Sequence, residues 1–252
     1  MHQISYQQIQ TLGDIYTETA HYTHMHDPAM PDRYDSNYLA FKQIPTLSAF
    51  KEAEAYLRAF HLQRGQQHVK FLFPENKKPS NDVLALLEEN GYATGYTELY
   101  KVEPKQFNAG KQKEGIEIVP VTSDTLAMFL KLQFDHDMQY GTAFAEQKQT
   151  LLRQQTESIK QVQLLALYEN TPAGSMEVIL EKETAEIDNL FVKATYRKKG
   201  IGTALQQYIM DHYPYKTVIL IADGEDTPRN MYQKQGYQYQ GYRYETQKLY
   251  QV

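Results

Sequence analysis

The stretch that most constrains the fold begins with the apolar segment Glu186–Val192 and continues through the basic turn Arg197–Gly202, which contains two glycines. The pattern predicts a strand, a loop and a helix that begins near Ile201. The first N–H groups of a helix lack intrahelical partners and carry partial positive charge. Glycines let a ligand approach that backbone closely, and three basic side chains add formal charge. The stretch therefore predicts an anion site, most simply for phosphate or pyrophosphate.

Two common phosphate-binding motifs do not match this loop. A Walker loop has a glycine five residues before its Gly-Lys pair, but Lys105 stands at that position before Gly110. A dinucleotide fingerprint needs a third glycine where Leu205 stands, and a tighter turn out of the strand. The remaining alternative is a basic surface turn that is capped by glycine and binds nothing.

Composition limits the classes of partner. The formal net charge is −5 and the isoelectric point is near 5.9, so we expect no nucleic-acid partner. The chain has no cysteine, which excludes a thiolate metal site and a cysteine nucleophile. No apolar run reaches the ~18 residues of a membrane span, and the N-terminus lacks a signal-peptide pattern. We therefore expect a cytoplasmic protein without a membrane partner, and we assign no metal ligands.

The 252 residues are enough for two domains of ordinary size. Glycine and lysine replace large apolar residues at 105–115, which predicts a linker between a domain at 1–104 and a domain at 116–252. In the first domain the patterns predict helices at 5–20, 47–63 and 80–90, a polar loop at 22–35, and strands at 37–44, 68–73 and 92–102. In the second they predict strands at 116–121, 162–168, 173–180, 185–192 and 218–222, helices at 123–139, 143–160, 201–213 and 228–235, and a strand or hairpin at 237–250.

Two parts of the chain resemble each other. The segment from Leu87 to Tyr96 parallels the segment from Tyr232 to Tyr242, with one residue inserted, and each follows a helix, an apolar strand and a second helix. We interpret the first half as a degenerate copy of the second, because no glycine turn precedes its helix at Leu47 and because Leu87 replaces Tyr232. The alternative is two unrelated α/β halves that share a Gly-Tyr ending.

The loop Arg197–Gly202, after a strand and at the start of a helix, resembles the acyl-CoA pyrophosphate loop of the GCN5-related N-acetyltransferases. The order of the predicted elements from residue 116 onward also matches that family. The resemblance implies an α+β fold with a mixed, mostly antiparallel central sheet flanked by helices, the acyl-CoA N-acyltransferase fold, here in two tandem lobes. It also implies acetyl-CoA as co-substrate.

The resemblance also implies which residues bind the co-substrate. The strand backbone before the loop would pair with the pantetheine arm, and one of its N–H groups would polarise the thioester carbonyl. The residues implied are Leu190, Phe191, Val192, Arg197, Lys198, Lys199, Gly200, Ile201, Gly202 and Thr203, with Asn230 as a further contact.

Three residues are candidates for the proton transfers. Tyr232 lies in the pattern Asn-x-Tyr-x-x-x-Gly, which in the family places a tyrosine that protonates the departing thiolate; the alternative is a structural tyrosine. Glu186 stands where related enzymes carry a glutamate base, with Asp188 as the substitute, and alternation predicts both on one face with Leu190. The alternative is that Glu186 only binds the positive charge of the acceptor.

Together these features predict an N-acetyltransferase that moves an acetyl group directly to a primary amine of a small molecule or peptide, since no cysteine can carry an acyl intermediate. Two alternatives remain open: a catalytically silent CoA-binding module, and an acyltransferase with another donor or an oxygen nucleophile. We expect a monomer or a homodimer.

Overall fold

The computed structural model describes residues 4–111, 113–225 and 228–250, with no side chain for Pro228. The strands are β1 (Asp14–Glu18), β2 (Tyr22–His26), β3 (Tyr38–Phe41), β4 (His68–Leu72), β5 (Ala93–Val102), β6 (Ile116–Pro120), β7 (Gln161–Tyr168), β8 (Thr171–Leu180), β9 (Thr184–Val192), β10 (Thr217–Asp223) and β11 (Gln238–Leu249). The helices are α1 (Leu47–Leu62), α2 (Asn81–Glu89), α3 (Leu126–Asp137), α4 (Thr142–Gln155), α5 (Ile201–His212) and α6 (Pro228–Lys234).

The described strands form one sheet in the order β1-β2-β3-β4-β11-β5-β10-β9-β8-β7-β6. The pairs β3–β4 and β9–β10 are parallel, and the other neighbours are antiparallel. The sheet is therefore mixed and mostly antiparallel, and helices flank it, as the sequence predicted. Among the described residues, no helix is both long and apolar enough to cross a membrane.

The two halves of the chain exchange their last strands. Strand β5 follows α2 in the first half but pairs with β10 of the second, while β11 follows α6 and pairs with β4 of the first. The exchanged strands also pair with each other in the middle of the sheet. The division at residues 105–115 stays a prediction about the sequence, because the hydrogen bonds of the sheet extend across it.

The repeated segments fold alike. The N–H of Tyr92 donates to the carbonyl of Leu87 at 2.9 Å, and the N–H of Tyr237 donates to that of Tyr232 at the same distance. In each copy a glycine with positive φ ends the helix, at 69° for Gly91 and 93° for Gly236. The chain then enters an exchanged strand. The sequence likeness therefore corresponds to a structural repeat.

Two apolar clusters hold helices against the sheet. In the second half, Leu205 and Ile209 of α5 are fully buried against β8, β9 and β10. In the first half, Phe50 and Leu57 of α1 pack on β3 and β4. Burying one such side chain stabilises the fold by roughly 1.5–3 kcal/mol. The packing of Leu205 and Ile209 holds α5 against the sheet, so that the start of α5 lies beside β9.

The predictions for the first 35 residues were wrong. The segment 5–20 is a short 3₁₀ helix at Tyr6–Gln8 followed by β1, and the supposed loop contains β2. Contacts distant in sequence cause the first difference, because Ile4 and Tyr6 pack on Leu99 and Ile219 across the sheet. Local pattern cannot show such contacts, and they override helix propensity.

Most other elements agree with their predicted bounds within a few residues. The predicted helix at 123–139 begins later, since the N-cap of α3 is Thr125. Residues 237–250 contain one strand, β11, which is one of the two predicted alternatives.

Candidate active site

The basic turn ends in a left-handed glycine at the start of α5. Gly200 has φ +90° and ψ 4°, and its carbonyl accepts the first helical hydrogen bond, from the N–H of Ala204 at 2.9 Å. Lys198 is also left-handed, with φ +64°. Arg197 at the start of the turn is extended, with φ −60° and ψ 155°. The turn thus leads into a helix that begins at Ile201, where the sequence predicted it.

A groove of about 1060 Å³ lies beside this turn, and we call it the α5 groove. It runs from the turn along β9 to α6. Among the residues predicted to bind the co-substrate, those that line it are Leu190, Val192, Arg197, Lys198, Gly200, Ile201, Gly202 and Thr203.

Three of the predicted binding residues do not line the α5 groove. The Lys199 ammonium lies 4.1 Å from the centre of the Tyr168 ring, away from the groove. Asn230 is exposed on α6. The ring of Phe191 stacks on His136 of α3 at 3.8 Å. The backbone of Phe191 remains beside the groove, because its neighbours Leu190 and Val192 both line it.

A slot opens between β9 and β10. The two strands pair only from Thr184–Thr217 to Ile187–Leu220, and beyond that β9 and β10 separate while both strands continue. The backbone of β9 beyond Ile187 therefore has no strand partner on that side. Unpaired backbone N–H and C=O groups at such an edge can bond an extended ligand as another strand would.

A bulge at Asn189 changes the faces of β9. Asn189 has φ +45°, and the pairing with β8 shifts so that Asp188 faces Glu177 but Phe191 faces Ser175. Two residues of β9 thus oppose one residue of β8. Beyond this bulge, each β9 side chain points to the sheet face opposite to the one that simple alternation predicts. The prediction that Leu190 shares a face with Glu186 and Asp188 was wrong for this reason. Leu190 faces the α5 groove, whereas the two carboxylates face the other side.

That other side of the sheet has a second cavity of about 560 Å³, which we call the central pocket. Glu186 and Asp188 line one side of it, β5 and β11 line its floor, and residues 9–12 cover part of it. Asp188 and Leu190 are two residues apart yet line different cavities. The groove and the pocket therefore approach each other at the slot.

The Glu186 carboxyl is in an environment suited to a base. Its residue is 7% exposed. Burial raises the pKa of Glu186 from its usual 4.5 to about 7. A hydrogen bond of 2.7 Å from the Gln10 N–H to Oε2 opposes the shift, and the charge of Asp188 adds to it. A carboxyl that titrates near neutrality can accept a proton efficiently at physiological pH.

Two further carboxyl groups lie near Asp188 and the end of α3. Asn189 donates its side-chain amide to Glu177 Oε1 at 2.6 Å, and burial raises the pKa of Glu177. Burial likewise raises the pKa of Asp137 at the end of α3, where Lys148 lies 4.0 Å away. These carboxyls line the region between α3 and β8, and they would favour a cationic group there.

Tyr232 lines the α5 groove from α6. Its ring centre lies 5.3 Å from that of Tyr100 and 5.4 Å from that of Tyr237. Tyr237 is itself fixed, because its hydroxyl donates to Gln206 Oε1 at 2.8 Å. The aromatic contacts hold the phenol of Tyr232 on the wall of the groove opposite β9.

Sequence reasoning missed three contributors. Lys111 and Lys113 belong to the predicted linker, yet both line the α5 groove, and the Lys113 ammonium donates to the carbonyl of Lys198 at 3.2 Å. Clustered lysines in the linker were the available signal. Gln10 was missed because its contact with Glu186 spans 176 positions of the sequence.

Comparison with known proteins identifies the second half. A family model described as "Acetyltransferase (GNAT) domain" matches residues 160–239, which include β9, the turn and α5. The chain carries a GNAT domain. GNAT proteins form a family of acyl-CoA N-acyltransferases. Residues 4–100 match a model described as "Domain of unknown function (DUF5613)". A search of curated proteins found no match.

Solved structures similar to this chain cover both halves. A functionally unknown conserved protein from Staphylococcus epidermidis has 27% identity, 98% coverage of each chain and a TM-score of 0.89. A GCN5-related N-acetyltransferase from Sphaerobacter thermophilus has 14% identity, 90% and 76% coverage, and a TM-score of 0.63. A tandem GNAT protein from the clavulanic acid biosynthesis pathway has 12% identity, 84% and 75% coverage, and a TM-score of 0.53. The last likeness agrees with the two-lobed fold.

Proposed function

We propose that this protein is an N-acetyltransferase that moves an acetyl group from acetyl-CoA to a primary amine of a small molecule or peptide in the cytoplasm. One observation carries the proposal. The α5 groove and the central pocket approach each other at the β9–β10 slot, and the pocket presents a carboxyl with a pKa of about 7 there. This arrangement suits a reaction in which donor and acceptor enter from opposite faces of the sheet.

The residues of the groove fit a diphosphate carried on a long, thin arm. The N–H groups that begin α5 and the side chains of Arg197 and Lys198 would hold the diphosphate, since helix starts favour anions. The backbone of Leu190 to Val192 would pair with the arm. Acetyl-CoA supplies the acetyl group as a thioester.

Glu186 would act as the base. A primary amine is mainly protonated at neutral pH and must lose a proton before it can attack a carbonyl carbon. The Glu186 carboxylate takes that proton directly or through one water molecule. The amine nitrogen then forms the new bond to the carbonyl carbon, and the bond from that carbon to sulfur breaks. Nitrogen loses its second proton as the amide forms, and that proton passes through solvent to the tyrosinate that remains once Tyr232 has protonated the sulfur. Asp188 on the same face is the substitute base and also favours the ammonium ion electrostatically.

Tyr232 would act as the acid. The departing sulfur leaves as a thiolate, and the Tyr232 hydroxyl donates a proton to it from the wall of the groove. A phenol can donate a proton to the sulfur as its bond to carbon breaks, even though a thiolate is less basic than a phenolate. The backbone N–H groups freed by the slot would stabilise the negative charge on the carbonyl oxygen.

The first half would take no part in co-substrate binding. Its helix α1 begins after Thr46, whose side chain accepts from the N–H of Ala49, and no left-handed glycine lies there. The Thr46 side chain therefore occupies a backbone N–H group at the start of α1. At the start of α5, Gly200 has no side chain to occupy the corresponding N–H group. We propose that this half instead covers the acceptor side, because Gln10 reaches Glu186 and residues 33–38 border the central pocket.

Calorimetry with CoA, followed by an acceptor screen, tests the proposal. We expect CoA to bind and to raise the melting temperature, and we expect acetyl-CoA to release free CoA when a suitable amine is added. Absence of CoA binding at millimolar concentration would exclude the function. Binding without turnover on amines, polyamines, aminoglycosides, amino acids and peptides would instead favour the silent CoA-binding module. Mass spectrometry of the products would show another acyl donor or an oxygen acceptor.

A further inference from the structure

The central pocket contains three cationic side chains, of which one is neutralised. Lys70 is buried, and its ammonium pairs with Asp35 at 2.5 Å and with Glu245 at 3.2 Å. These two carboxylates raise the pKa of Lys70 against the effect of burial. One ammonium and two carboxylates carry a net charge of −1, so Lys70 has no attraction left for a further anion.

The other two cations are guanidinium groups whose charges act on the Asp35 carboxylate without direct contact. Within the part of the chain that the structure describes, neither Arg33 nor Arg243 forms an ion pair with a carboxylate. The Nε of Arg243 is buried and has no hydrogen-bond partner among the described residues. A buried donor without a partner costs roughly 1–3 kcal/mol, so a bound acceptor group would stabilise this arrangement.

Arg243 is also held in place. Its guanidinium carbon lies 4.4 Å from the centre of the Tyr6 ring. Tyr6 is fixed in turn, because its hydroxyl donates to the Thr97 carbonyl at 2.7 Å. A guanidinium fixed by ring stacking keeps its N–H groups preorganised for a planar or tetrahedral anion.

The candidate base and these guanidiniums lie on different sides of one cavity. Glu186 is on β9 and Arg243 on β11, and β10 and β5 separate those strands. Three strand spacings, together with a register offset of four residues along β10 (Ile219 against Asp223), place the two backbones roughly 19 Å apart. Both side chains extend into the pocket and shorten that gap. The space between their charged groups suits a small molecule with an amine near one end and an anion near the other.

We propose that the acceptor carries, besides its amine, a carboxylate or phosphate group that Arg243 and Arg33 bind. This inference rests on the proposed function and names its acceptor class. The amine lies toward Glu186 and Asp188, and the anion lies toward the guanidiniums, so the two ends fix the orientation of the acceptor. A simple polyamine would leave both guanidiniums unpaired and place its distal charges beside them. The acceptor is therefore an amino acid, a short peptide or a phosphorylated amine.

Matched pairs of probes test this assignment. Each pair differs in the anion: glycyl-leucine and glycyl-leucinamide, tyrosine and tyramine, glucosamine 6-phosphate and glucosamine. Calorimetry measures their binding to CoA-saturated protein, and CoA release from acetyl-CoA gives KM and kcat where turnover occurs. We expect the anionic member of at least one pair to bind ten times more tightly or better. Preference within the first two pairs indicates a carboxylate, and preference within the third indicates a phosphate.

Variants then connect the preference to the residues. Arg243→Gln should abolish the preference and raise KM for the anionic member at least tenfold, with little change in kcat. Arg64→Gln is the matched control, because the Arg64 guanidinium also stacks on a ring, that of Phe60 at 3.5 Å, but lies outside the pocket. Melting curves check that both variants fold, and Arg33→Gln replaces Arg243→Gln if the latter does not.

Two results would overturn the inference while CoA binding still holds: no pair shows preference for its anionic member, including the case in which no probe binds, or the preference survives in both arginine variants. Loss of CoA binding by the unmodified protein would overturn the proposed function instead. The CoA titration is performed first, so the two failures can be distinguished.

Discussion

Thr97 and Arg243 face each other on β5 and β11 in the middle of the sheet. In the repeat, Gly95 corresponds to Gly241, and each glycine lies two residues before a member of that pair. Because the strands are antiparallel, their pairing is symmetric about Thr97 and Arg243. A local two-fold axis thus relates the repeats at the floor of the central pocket.

The same symmetry shows where the halves differ. Under this symmetry β4 corresponds to β10 and β3 corresponds to β9. Tyr38, beside β4, therefore corresponds to Glu186, beside β10. Tyr38 is buried, and burial raises the pKa of its hydroxyl to about 12. A phenol with that pKa stays protonated and cannot serve as a base at neutral pH. The first half therefore lacks both the glycine turn and the carboxylate.

Gly200→Ala should weaken CoA binding more than it destabilises the fold. A left-handed alanine costs roughly 1–2 kcal/mol, and the new methyl group would meet Lys113 at 3.2 Å. Gly65→Ala is the control, because Gly65 has φ +75° and open space around it. We expect similar losses in the free energy of unfolding but a tenfold or greater loss of CoA affinity in Gly200→Ala alone. Equal CoA affinity in the two variants would contradict the assignment of the turn.

Tyr232→Phe should lower kcat by about 100-fold, since general acids contribute roughly 10²–10⁴-fold. The affinity for CoA should change little, because the ring and its aromatic contacts remain. Tyr208→Phe is the control in the same groove, where Tyr208 stacks on His212 at 3.8 Å. Steady-state kinetics and calorimetry measure the two effects. Full activity of Tyr232→Phe would remove the acid role.

The pH dependence of kcat/KM should report Glu186. A base acts in its deprotonated form, so activity should rise with pH and level off above about 7, where the carboxyl has lost its proton. Glu186→Gln should lower kcat/KM by about 100-fold and remove this rise. Asp188→Asn should retain the rise. If Asp188→Asn loses it and Glu186→Gln keeps it, Asp188 is the base.

Gln10→Pro should shift that pH profile upward. The Gln10 N–H lowers the pKa of Glu186 through its hydrogen bond, and proline has no N–H to donate. The preceding residue Ile9 has φ −75° and ψ 132°, a conformation that tolerates a following proline. Gln10→Ala keeps the N–H and should keep the profile. An unchanged midpoint in Gln10→Pro would show that this contact does not influence the base.

Lys113→Ala should weaken CoA binding by about two- to fivefold, as expected for the loss of one exposed charge pair. The loss should shrink as ionic strength rises, because salt screens such pairs. Lys105→Ala is the control, since Lys105 belongs to the same predicted linker but does not line the α5 groove. Calorimetry at two salt concentrations checks both. Equal affinities in the two variants would restrict the cationic contribution to the turn itself.

Local sequence signals predicted part of this structure well. The glycine turn marked the start of α5, and the predicted helix at 80–90 begins after Ser80, whose side chain accepts from the N–H of Val83. Both features depend on residues within one turn of a helix. The bulge at Asn189 gave no comparable signal, because a positive φ is only one of several backbone conformations that asparagine can adopt.

Features that depend on distant contacts could not be predicted. His24 lies in a segment that reads as a polar loop, yet it is fully buried and its Nδ1 lies 3.0 Å from the hydroxyl of Tyr56. The strand exchange likewise depends on pairings between segments far apart in the chain. The approach of Gln10 to Glu186 belongs to the same class, so the covering of the candidate base was visible only in the structure.

The exchange of β5 and β11 also has a consequence for the newly synthesised chain. When residue 102 leaves the ribosome, β5 has no neighbour to bond, because β10 and β11 have not yet been translated. Strand β4 waits for β11 in the same way. The first repeat therefore cannot complete its hydrogen bonding during translation, and both repeats must finish folding together after the ribosome has passed residue 249.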